Sequence, residues 1–127
     1  TVAGKVLIFC GKSVESKRLN KLAGLAEIES VEEVAGAMDL ELVLDRCASH
    51  GLNNILIAAG PILTRQFIQR KLFDELTIYI APKIIGTEGR RAFQVPSPDR
   101  LSEVHDLKLK KLSSLGNDMV ATLVPNI

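Results

Sequence analysis

The sequence is short of the devices that would announce a function outright. It has only two cysteines, Cys10 and Cys47, in 127 residues, too few to staple a disulfide scaffold and not in the Cys-x-x-Cys spacing of a redox or zinc motif. A reducing, cytoplasmic compartment is the expectation. An excess of charge of one sign is also missing. Sixteen Lys and Arg against 15 Asp and Glu leave a net charge of +1, with neither the basic footprint of a nucleic-acid binder nor an acidic tail. No apolar run approaches the roughly 20 residues of a membrane-crossing helix. No small-residue cleavage site follows Val6–Cys10 as it would in a signal peptide. Neither nucleic acid nor membrane is expected as a partner. There is no internal repeat, no Gly-x4-Gly-Lys-Ser/Thr loop and no Gly-x-Gly-x-x-Gly fingerprint. His50 and His105 have no companions at metal-ligand spacing, so no metal site is expected.

What the chain does have is ordinary globular composition, 46% apolar and 24% charged, at the length of one domain of about 100–150 residues. A single domain over residues 1–127 is expected. Lys5–Phe9 (KVLIF) reads as a buried strand, followed by a turn at Cys10-Gly11. Glu15–Leu25 reads as a short helix weakened by Gly24, and Glu27–Ser30 as a brief strand. Asp39 is a suitable N-cap for a helix whose apolar stripe is Leu40, Val43, Leu44 and Cys47 and whose stop is His50-Gly51. Asn54–Ala59 (NILIAA) is apolar throughout, as in a strand covered on both faces. Pro61–Leu72 predicts a helix with Leu63, Phe67 and Ile68 inward and Arg70 and Lys71 closing it. Glu75–Ala81 (ELTIYIA) predicts another strand, ended by Pro82. Lys83–Arg100, with its glycines and prolines, is a long excursion. Val104–Leu112 and Met119–Val124 alternate and should pair as an antiparallel hairpin with a loop of about five residues. The expected fold class is α/β: a mixed, mostly parallel sheet with a C-terminal antiparallel hairpin, flanked by helices.

Chemistry is best placed at the corner Ile55–Thr64 (ILIAAGPILT). A strand ends, Gly60 turns the chain, and Pro61 opens a helix. The first turn of that helix offers the N–H groups of Ile62, Leu63 and Thr64, and the positive end of the helix dipole, to an anion such as a phosphate. Pro61 forfeits only an N–H that would have been unpaired anyway. The same corner is also the plain strand-to-helix turn of any α/β protein. Asp74-Glu75 admits an acid–base reading and a turn-forming one. Arg65, Arg70, Arg90 and Arg91 are either phosphate partners or solvated charges.

The run Gly51-Leu-Asn-Asn-Ile-Leu-Ile-Ala-Ala-Gly-Pro-Ile-Leu63, followed by Leu72-Phe-Asp-Glu-Leu-Thr-Ile-Tyr-Ile-Ala-Pro-Lys-Ile-Ile-Gly86, resembles the C-terminal reductase domain of the bacterial bifunctional riboflavin biosynthesis deaminase/reductases. The likeness is specific over Gly51–Phe93 and extends loosely through the terminal hairpin. It implies a dihydrofolate reductase-like fold, a homodimer, and an oxidoreductase that uses NADPH to reduce a ribosylaminopyrimidine phosphate, opening its ribose to a ribityl chain. It also implies that Ala59, Gly60, Pro61, Ile62 and Leu63 hold the cofactor pyrophosphate. Lys12 and Ser13, in the loop after the first strand, would then lie near the adenosine 2′-phosphate, where a cation and a hydroxyl favour NADP over NAD; a solvated loop is the other reading.

Two departures stand out. Ala58-Ala59-Gly60 replaces the family's Glu-Gly-Gly, so a carboxylate is missing at Ala58. The Ala-Met-Ser-x-Asp-Gly-like motif that opens the family domain has no match in residues 1–50. The chain thus reads as about the last 60% of a domain of about 200 residues. The alternative function is a non-catalytic binding or assembly module on the same scaffold.

Overall fold

The computed structural model describes residues 4–34, 36–101 and 104–126. They fall into two compact units, divided between Ile55 and Leu56.

The first unit begins with β1 (Leu7–Gly11), α1 (Ser16–Asn20) and β2 (Glu27–Val31), the two strands pairing in parallel from Leu7↔Glu27 to Gly11↔Val31. The pairing register moves β1 two residues later than the apolar run predicts. The helix expected over Glu15–Leu25 shortens to five residues, because the chain beyond Asn20 tightens into three-residue turns such as Leu22 N–H to Leu19 C=O at 3.0 Å and Leu25 N–H to Leu22 C=O at 3.0 Å. A small hairpin, β3 (Glu33–Val34) with β4 (Ala37–Met38), follows. Then comes α2 (Leu40–Ser49), where the Asp39 carboxylate accepts from the Glu41 N–H at 3.1 Å as the cap requires. Val31, Leu40 and Cys47 are the buried side chains of this unit.

The second unit holds α3 (Pro61–Gln69), β5 (Leu76–Ile80), β6 (Leu107–Leu115) and β7 (Asp118–Pro125), the strands forming one antiparallel sheet in the order β5-β7-β6. The expected hairpin is present, with longer strands: Leu115 pairs Asp118, leaving the two-residue loop Gly116-Asn117. Gly116 alone has positive φ there (61°), the pattern of a II′ turn, whose twist matches the strands it joins. A bulge between Leu109 and Lys111 frees Lys110 from the ladder, and its ammonium pairs with the Glu75 carboxylate at the entry to β5. Phe67, Ile68 and Ala121 are buried here.

The α/β class stands, but a mostly parallel sheet does not. Among the described residues β1–β2 is the parallel pair and the other ladders are antiparallel. The reason is Asn54–Ala59, expected as a parallel strand. It carries no ladder in the structure, and Leu56 is 93% exposed. Apolar side chains alone do not make a strand; its N–H and C=O groups need a neighbouring backbone.

Both longer helices end in the same hydrogen-bonded cap. In α2, Gly51 N–H bonds Ala48 C=O at 2.9 Å and Leu52 N–H bonds Cys47 C=O at 3.0 Å. In α3, Lys71 N–H bonds Ile68 C=O at 3.1 Å and Leu72 N–H bonds Phe67 C=O at 2.9 Å. This is the Schellman arrangement, which needs a left-handed residue after the cap. Gly51 takes it freely (φ 78°), whereas α3 forces Lys71 into it (φ 55°). Thus Arg70 and Lys71 lie beyond the last helical turn they were expected to close. Lys71→Gly should stabilise the chain by roughly 0.5–1 kcal/mol and Gly51→Ala should destabilise it by about 1 kcal/mol. Urea midpoints at constant m-value measure both.

Candidate nucleotide-binding corner

Four N–H groups at the start of a helix have no partner within it. In α3 one is absent, because Pro61 has none. Thr64 N–H lies one residue past those four and makes the first i→i−4 bond of the helix, to the Gly60 carbonyl at 3.1 Å, so it is not the free donor that the sequence suggests. The Thr64 hydroxyl also donates to the Ala59 carbonyl at 3.4 Å, tying the helix to the segment before it. Ile62 and Leu63 N–H remain without an acceptor among the described residues. No acidic side chain stands in the first turn to neutralise the helix dipole.

Both residues line a cleft of about 470 Å³, together with Gly60, Pro61, Gln66, Arg90 and Gln94. Leu63, expected inside, is 40% exposed, and Ile62 is 66% exposed. Gly60 has φ −73° and ψ 172°, a conformation open to any residue, and an added Cβ would meet nothing within 4 Å. The glycine is therefore not needed to make the turn; its effect is to leave the mouth of the cleft clear. Arg90, one of the arginines offered as a phosphate partner, and Gln94, which the sequence did not single out, both come from the excursion after β5. Of the other arginines, Arg65 donates to Gln69 at 3.1 Å along α3. Of the pair Asp74-Glu75, Glu75 is engaged by Lys110 in an ion pair.

In the first unit the predicted loop residues are already paired. Lys12 Nζ donates to Glu32 Oε1 at 2.7 Å and Ser13 Oγ donates to Glu33 Oε2 at 2.9 Å. A hydrogen bond from Lys12, reinforced by its charge and opposed by desolvation and the Asp39 carboxylate, holds the Glu32 carboxyl below its ordinary range. A second cluster was not legible from spacing: ligand atoms of Glu27, Glu29 and His50 lie within 4.8 Å of one another. His50 pairs with Glu29, and Arg46 Nε stands 3.9 Å from the same carboxylate. The group ties the end of α2 to β2.

The chain matches the family profile described as the RibD C-terminal domain over residues 1–121. It belongs to that family. The match takes in residues 1–50, where the family's opening motif was not found. The chain is 32% identical over 94 residues to the riboflavin biosynthesis protein RibD of Escherichia coli K12, covering 74% of this chain and 26% of that protein. It is 30% identical over 119 residues to the 2,5-diamino-6-ribosylamino-4(3H)-pyrimidinone 5′-phosphate reductase of Methanothermobacter thermautotrophicus, covering 90% of this chain and 52% of that one. The chain thus spans about a quarter of the first protein's length and about half of the second's. In structure it is similar to Acinetobacter baumannii RibD, with a TM-score of 0.75 at 21% identity over 95% of this chain and 31% of that one.

Because the folded carboxyl of Glu32 is held low, the support it gives the fold is present above its unfolded pKa and is lost as pH falls through the folded one. Carboxyl-detected NMR should show Glu32 titrating below the ordinary glutamate range, and Lys12→Met should raise it.

Proposed function

We propose that this member of the RibD C-terminal domain family serves an NADPH-dependent reduction of a ribosylaminopyrimidine phosphate in riboflavin biosynthesis, as the cofactor-holding part of a reductase domain. One observation carries the reading: Ile62 and Leu63, whose N–H groups have no acceptor among the described residues, line an open cleft together with Arg90. That donor set fits a pyrophosphate, which takes backbone N–H groups, a helix dipole and a guanidinium at once. Ala59 and Gly60 keep the approach free of bulk, Pro61 sets the helix start, and Ile62 and Leu63 donate. Lys12 and Ser13 would receive the phosphate on an adenosine ribose.

NADPH, when bound, supplies the hydride; the work of these residues is to bind and orient it. The names of the relatives support the substrate class. The Buchnera aphidicola protein that is 34% identical over 74 residues is called a 5-amino-6-(5-phosphoribosylamino)uracil reductase. Ala58, where the family pattern has a carboxylate, favours the second reading, a binding or assembly module without catalysis. The proposal includes a dihydrofolate reductase-like arrangement of one domain, a cytoplasmic location and a homodimer. The dimer is supported by exposed apolar side chains on the β5-β7-β6 sheet, among them Tyr79, Leu112 and Leu115.

Gly60→Val should leave the far-ultraviolet circular dichroism unchanged and weaken NADPH binding, followed by cofactor fluorescence, by tenfold or more. Undiminished binding would remove Gly60 from the site. Binding without turnover of a ribosylaminopyrimidine phosphate would select the non-catalytic module.

A further inference from the structure

We propose that Glu32 and Glu33 set how strongly the Gly11–Ser13 loop holds a phosphorylated ribose, by competing with the phosphate for Lys12 and Ser13. The inference rests on the reading of that loop as nucleotide-binding and adds the residues that govern its selectivity.

The placement comes from the β1-α1-β2 unit. Parallel strands joined through a helix bind ligands outside their carboxyl ends, and an acid at the end of the second strand is the usual reader of a ribose diol. Gly11 ends β1 and pairs with Val31, the last residue of β2, so the loop after one strand lies beside Glu32-Glu33 after the other. The contacts are one to one: Lys12 with Glu32 at 2.7 Å, and Ser13 with Glu33 at 2.9 Å. Gly11 permits the second contact. A Cβ there would stand 2.4–2.7 Å from the carboxylate atoms of Glu33, which therefore lies flat against the loop only because residue 11 lacks a side chain. Beside the loop is an open cleft of about 300 Å³ lined by Ser13, Val14, Glu15 and Arg18.

The charges decide the sign. A phosphate dianion that takes Lys12 and the Ser13 hydroxyl must displace both carboxylates and then sit near them unpaired, which costs Coulomb energy. A ribose with free hydroxyls meets no such penalty, because hydroxyls donate to carboxylates. The two glutamates thus act as specificity residues that weaken the phosphorylated ligand selectively. Neutralising either one should favour that ligand by roughly two- to fivefold, the range of an exposed ion pair.

Calorimetric titration of the full chain with adenosine 2′,5′-bisphosphate and with adenosine 5′-monophosphate tests this. Glu32→Gln and Glu33→Gln should each tighten the bisphosphate by about that factor and leave the monophosphate unchanged, whereas Lys12→Met should weaken the bisphosphate alone. Gly11→Ala, which pushes the Glu33 carboxylate aside, should act in the same direction as Glu33→Gln. A ratio of the two affinities that the glutamate variants do not move, or a parallel shift of both as a merely structural role would give, overturns the proposal. Failure of the wild-type chain to bind either nucleotide overturns it together with the reading of the loop. Gly60→Val and NADPH test the other corner separately, so the two failures are distinguishable.

Discussion

A helix must begin with backbone N–H groups that it cannot itself satisfy, and at α3 this constraint shapes everything around it. Proline removes one such group, the first i→i−4 bond of the helix runs from Thr64 N–H to the Gly60 carbonyl, and Ile62 and Leu63, whose N–H groups have no acceptor among the described residues, line the cleft. An acidic side chain in the first turn would have neutralised them internally; none is there. What remains is a small, fixed, positively polarised surface next to a glycine with free space in front of it and an arginine alongside. Such a surface costs nothing to reorganise when an anion arrives, which is why helix starts recur at phosphate sites.

The first unit solves an electrostatic problem in the opposite way. Its loop cation and hydroxyl are matched in advance by carboxylates, through contacts of 2.7 and 2.9 Å. One corner therefore waits with its donors unpaired, while the other must exchange partners before it can accept a phosphate.

Much of this was legible in the residues. Asp39 and His50-Gly51 bound α2 because a short carboxylate and a left-handed glycine each satisfy a particular helix end, and the structure uses both as expected. Pro61 marked the start of α3, because its ring forfeits only an N–H that finds no partner there. Most of the failures are non-local. Asn54–Ala59 has the side chains of a buried strand, but pairing depends on a neighbouring backbone that side-chain pattern does not report. Lys71 sits in a conformation that favours glycine because the cap of α3 demands it there. Arg90 and Gln94 reach the cleft through a loop without periodicity, and Glu32-Glu33 meet Lys12-Ser13 only because two parallel strands bring their ends together. Resemblance over Gly51–Phe93 identified the family, which the profile match over residues 1–121 extends to the first part of the chain.

Phosphate binding at this corner requires the two free amides of α3. In a ¹H–¹⁵N correlation spectrum titrated with NADPH, the Ile62 and Leu63 cross-peaks should shift downfield and saturate together, while Thr64, already bonded to Gly60, should move far less. Saturable binding that leaves Ile62 and Leu63 unmoved, with its shifts elsewhere in the chain, would contradict it.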